Sequence, residues 1–170
     1  MMSPIITFDA ETVACQNDDN IVLAPLWMPS SESVFEFYSR TLAFPDYFGY
    51  NWDAFNDCID DLSWLDGETI HIVHRSVPVS GDMYNQKNFL SILYESGFFS
   101  RIEGRFKVHF LSMDKQTILT ILCRYYCEFE VMSEKQYYFK RGREMYARGA
   151  SAEDCLRVFD EGLKLMYEQF

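Results

Sequence analysis

The sequence predicts an α/β domain followed by a mainly helical C-terminal extension, and three observations carry that prediction. Short apolar runs alternate with amphipathic stretches between about residues 20 and 112, the pattern of strands layered against helices. From Met113 onward the pattern turns mainly helical. A hydrophobic fraction of 48% and an aromatic fraction of 17% over 170 residues are enough for a real core and unlike a disordered chain. On these grounds the chain divides into a domain at 1–112, with its core at about 20–112, and an extension at 113–170.

Residues 21–27 read as a first strand, and residues 5–8 as a possible short extra one. A helix follows at about 33–44. Ser33-Val34-Phe35-Glu36 is its possible capping box, and Val34, Phe37, Tyr38 and Leu42 form its apolar stripe. Pro45 stops it. Asn51 caps a second helix that runs to Leu65, with Gly67 to end it. Residues 69–75 form a second strand. A third helix fits 86–96, with Phe89, Leu90 and Leu93 inward and Gly97 after its end, and residues 106–111 form the last strand of the domain.

In the extension, the apolar run at 117–127 fits a helix or a strand. Ser133-Glu134-Lys135-Gln136 reads as a capping box for a helix to about Arg148, which Gly149 ends. Ser151-Ala152-Glu153-Asp154 opens another to about Glu168. Phe139, Met145 and Tyr146 then face Leu156, Phe159, Leu163 and Met166 in an antiparallel helix hairpin.

The helix after Asn51 is the most informative element. At about 100° per residue, Asp53, Asp57, Asp60, Asp61 and Trp64 share one arc, while Trp52, Ala54, Phe55, Cys58, Ile59, Leu62 and Leu65 share the other. No Lys or Arg occurs between Arg40 and Arg75, an interval holding Asp46, Asp53, Asp57, Asp60, Asp61, Asp66 and Glu68. A plain solvated face interleaves both signs for i,i+4 support. This one repels itself. Either it serves solubility, or it steers a basic partner into contact.

The segment leading into the helix decides between these. The string Ala43-Phe44-Pro45-Asp46-Tyr47-Phe48-Gly49-Tyr50-Asn51-Trp52-Asp53-Ala54-Phe55-Asn56-Asp57-Cys58-Ile59 resembles the signature of the barstar family of intracellular inhibitors of barnase-type ribonucleases. That signature is roughly Leu-Pro-Glu/Asp-Tyr-Tyr/Phe-Gly-x-Asn-hydrophobic-Asp-Ala-hydrophobic-x-Asp-Cys-hydrophobic. The resemblance implies a three-stranded parallel sheet packed with helices over about residues 20–112.

It also implies a working surface. Asp57 takes the position of the aspartate that enters the nuclease's phosphate pocket, where arginines donate charge-assisted hydrogen bonds to it. Asp53 takes the second acidic contact position. Tyr47 and Gly49 fall on the contact loop, with Tyr47 stacking over the catalytic cleft. Glu95 aligns with a peripheral acidic contact on the third helix. Asn56 stands where the family's namesake carries a tryptophan, and Leu62 where an aromatic is expected, with Trp64 as its candidate substitute. Asp60 and Asp61 complete the candidate partner-binding set. Gly49 supplies a positive φ if the turn needs one, and Gly49 aside, each position has a plainer role open to it: Phe48 as a core seal, Asp53 as a loop-orienting residue, Cys58 as a small buried hydrophobe.

Composition narrows the function classes. The net charge of −11 lies almost wholly in residues 1–112, which carry −10, against −1 in the extension. Direct nucleic-acid binding by the domain is therefore not expected, since phosphate neutralisation needs a basic surface. No export signal and no apolar run of membrane-spanning length appears, so the expected location is the cytoplasm. Cys15, Cys58, Cys123, Cys127 and Cys155 show no paired metal spacing, and neither a metal nor a cofactor is expected. His71 and His109 fall on predicted strands as possible neighbours without a positioned nucleophile, so catalysis is not expected either. The resulting expectation is an immunity protein that occludes a basic toxin nuclease. The alternative is an interaction module working through its helical extension, which also offers a surface for homo-oligomers.

Overall fold

The computed structural model describes residues 5–14, 20–65, 67, 69–98, 105–129 and 136–167. The chain forms two compact units, one of residues 3–114 and one made chiefly of residues 115–170.

The first unit runs β1 (Ile6–Thr7), α1 (Ala10–Val13), β2 (Ile21–Leu23), α2 (Ser31–Thr41), α3 (Trp52–Asp61), β3 (Ile70–Val73), α4 (Met83–Ser96) and β4 (Phe106–His109). Its sheet is wholly parallel, in the order β1-β4-β3-β2, with Val22 beside Ile72 and Ile72 beside Val108. The sheet therefore has four strands where the resemblance implied three. The fourth is the extra strand at the N-terminus. It completes the edge of β4, where Val108 N–H donates to Ile5 O at 2.8 Å and Phe110 N–H to Thr7 O at 3.0 Å.

An aromatic core fixes the helices on one another. Tyr38 of α2, Phe55 of α3 and Phe89 of α4 meet with ring centroids 5.4–6.5 Å apart. His74, just past β3, stacks on Phe110 at 5.1 Å and is fully buried. Elsewhere on the sheet, Ala10 and Val13 of α1 pack on Val73.

Several element limits differ from the sequence reading, each for a local reason. β2 stops at Leu23 rather than reaching Trp27, because Pro25 has no N–H for the ladder. α2 begins two residues early: Ser30 is the N-cap, and Ser33 sits at N3 and completes the box. Phe35, not Phe37, joins the buried stripe, held against Trp52 at 4.7 Å. α3 ends at Asp61, not Leu65, because Leu62 turns left-handed at φ 40°. α4 begins at Met83 because the Asp82 carboxylate accepts from Asn85 N–H at 3.1 Å.

The second unit holds α5 (Lys115–Glu128), α6 (Gln136–Ala147) and α7 (Ala152–Tyr167). The apolar run at 117–127 is thus helical. α6 and α7 lie antiparallel: Gly142 faces Phe159, and Gly162 faces Phe139. Gly149, at φ 84°, ends α6, and Ser151 Oγ accepts from Asp154 N–H at 3.1 Å to cap α7. The capping box expected at 133–136 lies mostly outside the described residues.

Candidate partner-binding face

The loop and helix of the sequence motif form a continuous surface with its own scaffolding. α2 ends in a tight reversal in which Phe44 N–H donates to Ser39 O at 2.8 Å, with Ala43 left-handed at φ 48°. Phe48 then turns inward and is 6% exposed, packed on Phe44 and Phe35, the core seal expected of it. Its neighbours do the opposite. Tyr47 is 78% exposed and Tyr50 is 57% exposed. The positive φ in this loop belongs to Tyr50, at 49°, not to Gly49. A Cβ at Gly49 would sit 3.1 Å from Asn51 Nδ2 and so press on the side chain that caps α3.

Asn51 starts α3 in the expected way. Its Oδ1 accepts from Ala54 N–H at 2.9 Å, and its Nδ2 donates back to Gly49 O at 3.3 Å. The helix buries Phe55, Cys58 and Ile59 and exposes Asp53, Asp57 and Asp61. None of these three aspartates makes an ion pair among the described residues. The Cys58 thiol is pushed up by burial, and further by Asp57 and Asp61, which leaves it a protonated, unreactive group.

Asp60 differs from the other three. It is half-buried beside α4, and burial, then the Glu95 carboxylate and then Asp57, push its pKa up to about 7 against the pull of an Asn56 hydrogen bond. Asn56 Nδ2 donates to Asp60 Oδ2 at 3.2 Å, while Asp60 Oδ1 is buried with no donor. α3 and α4 run side by side in the same direction. Trp52 Nε1 donates to Asn85 Oδ1 at 2.7 Å at their N-terminal ends, and Asp60 meets the field of Glu95 at the other. The structure thus brings Asn56, Asp60 and Glu95 together and leaves Asp53, Asp57 and Asp61 outward.

Trp64 does not continue the acidic arc, because α3 has already ended. Its Nε1 donates to Leu42 O at 2.9 Å and so ties the turn after α3 to the end of α2. Sequence reasoning missed the Trp52–Asn85 bond, whose partners lie 33 residues apart. The Asn56–Asp60 bond, by contrast, had an i,i+4 spacing that signals it.

The histidines do meet. His71 Nδ1 lies 2.9 Å from His109 Nε2, and His109 Nδ1 lies 2.7 Å from Asp9 Oδ1 and from Thr7 Oγ1. The chain of bonds fastens the β1 end onto β4. Among the described residues, no three His, Cys, Asp or Glu side chains are grouped to hold a metal. No described helix is long and apolar enough to cross a membrane.

Residues 23–102 match the barstar (barnase inhibitor) family model, and the segment so matched contains the whole loop-and-helix surface. No curated protein and no solved structure matches the chain.

Proposed function

We propose that this barstar-like protein is an inhibitor that occludes the active site of a basic toxin nuclease, a ribonuclease in the first instance, and so protects the cell that makes it. The observation that carries the reading is the row Asp53, Asp57 and Asp61, exposed along one side of α3 with no ion pair among the described residues. Such a row is unfavourable in isolation and favourable against a cluster of Arg and Lys.

In this reading Asp57 stands in for a substrate phosphate. Its two oxygens accept paired hydrogen bonds from a guanidinium, the strongest form such a contact takes. Asp53 makes a second acidic contact one helical turn away, and Tyr47 lies over the mouth of the cleft. Tyr47 gives up little conformational entropy because its loop is already set by the Asn51 cap and the Phe48 anchor. Asn56 serves Asp60 rather than the partner, so the aromatic contact expected at its position passes to exposed residues such as Tyr50. Binding is reversible and uses no cofactor.

The test is RNA hydrolysis by a basic barnase-type ribonuclease in the presence of increasing inhibitor. Wild type should abolish turnover at stoichiometric amounts. Asp57→Ala should weaken inhibition by at least about 2 kcal/mol, the scale of an interface hot spot, while melting as wild type does. Inhibition undiminished by Asp57→Ala would remove the assignment.

A further inference from the structure

The second unit carries a surface of the opposite sign. Tyr137, Lys140, Arg141, Glu144, Met145 and Arg148 line one stripe of α6 and the turn after it. Their spacing of three, four and seven residues is the one that keeps side chains on a single helix face. Lys140, Arg141 and Arg148 are exposed, and none makes an ion pair among the described residues. Glu144 stands among the three at helical spacing, so the stripe keeps an excess of two positive charges, three cations against one anion. Tyr137, 61% exposed, adds an apolar ring to the start of the stripe.

We infer that this stripe docks on the acidic face of α3 in a second copy of the chain, giving a weak, salt-sensitive self-association. The two rows match in length. Asp53 and Asp61 are separated by about 12 Å along α3, and the Lys140–Arg141 pair and Arg148 by about 11 Å along α6, at a rise of about 1.5 Å per residue. The ends of the acidic row therefore meet the ends of the basic row. Midway, Asp57 falls opposite Glu144, a like-charge contact that weakens the association. The same register leaves the complex displaceable by a nuclease that engages Asp57. A nucleic acid is the poorer occupant of the stripe, because its evenly spaced phosphates also meet Glu144 and the net charge opposes its approach.

Sedimentation equilibrium of the full chain tests this. Wild type should associate at roughly 0.1 M salt, where the screening length is about 10 Å, and be monomeric at roughly 1 M, where it is about 3 Å. Arg141→Glu/Arg148→Glu and Asp53→Lys/Asp61→Lys should each be monomeric at the lower salt, and an equimolar mixture of the two should associate again. Glu144→Lys should tighten association several-fold, because it turns the central repulsion into an attraction. Asp57→Ala should retain association, which separates this contact from nuclease inhibition. Circular dichroism and melting check that each variant folds. A wild type monomeric at both salts, a charge-reversed variant that associates undiminished, or a mixture that stays monomeric overturns the inference.

Discussion

The Asn56 amide donates to one oxygen of Asp60 at 3.2 Å and leaves the other oxygen buried with no donor. This carboxylate is held at a loss in the isolated protein. Its pKa rises from 3.8 to about 7, chiefly through burial and then through Glu95. The folded state holds the proton that the unfolded state releases, so stability falls as pH rises from 3.8 to about 7 and the loss is complete above it. Such a shift corresponds to roughly 4 kcal/mol, which solvent screening of a partly exposed group reduces to about 2 kcal/mol. Asp60→Asn should therefore stabilise the protein by about 2 kcal/mol at pH 8. Urea unfolding at pH 8 and pH 4 checks it: the gain should vanish at the lower pH, and an equal gain at both would contradict the electrostatic account.

His74 supplies the opposite slope. Full burial lowers its pKa from 6.5 to about 3, with Tyr38 Oη 2.9 Å from Nε2 and Nδ1 unpartnered. The unfolded state takes up a proton that the folded state refuses, so stability is lost as pH falls from 6.5 toward 3. The loss is on the order of 5 kcal/mol. His74→Gln keeps a polar neighbour for Tyr38 and removes the titration, so denaturation midpoints across this window should flatten in the variant. A slope unchanged from wild type would mean that other groups set it.

Gly142 and Gly162 let α6 and α7 approach. A Cβ at Gly142 would sit 2.3 Å from Phe159 Cε1, and one at Gly162 would sit 2.8 Å from Phe139 Cε2. Ala is the better helix former by about 1 kcal/mol, yet overpacking of this kind costs about 1–3 kcal/mol. Gly142→Ala should thus lower the melting temperature, and a rise would mean the rings move aside freely.

Ala43 adopts φ 48° at the end of α2 and is exposed. A left-handed L-residue costs about 1–2 kcal/mol, part of which glycine returns as unfolded-state entropy. Ala43→Gly should raise stability by up to about 1 kcal/mol without loss of inhibition. Chemical denaturation with an unchanged m-value checks the gain.

Residue spacing alone revealed the amphipathic α3, its Asn51 cap and the outward Asp53, Asp57 and Asp61, because each depends on neighbours within a few positions, whereas α2, read as running to Phe44 with Pro45 as its stop, ends at Thr41 because Ala43 turns left-handed first. What it did not reveal depends on distant chain. Asp60 looked like one more solvated aspartate until α4 packed beside it, and Trp64 looked like a face residue until Leu42 took its indole N–H. The left-handed turns at Tyr50 and Leu62 were equally hidden, since neither is a glycine and both are set by the packing on either side. The short β1 was legible as a strand, but its pairing with β4, across about 100 residues, was not.

The most direct test of the acidic face is the association rate of wild type and Asp53→Ala/Asp57→Ala with a basic barnase-type ribonuclease, followed by stopped flow as salt rises. Charge steering predicts a fast wild-type rate that falls steeply with ionic strength, and a variant that is slower and much less sensitive to salt. Identical rates and salt slopes for the two proteins would show that binding does not run through α3.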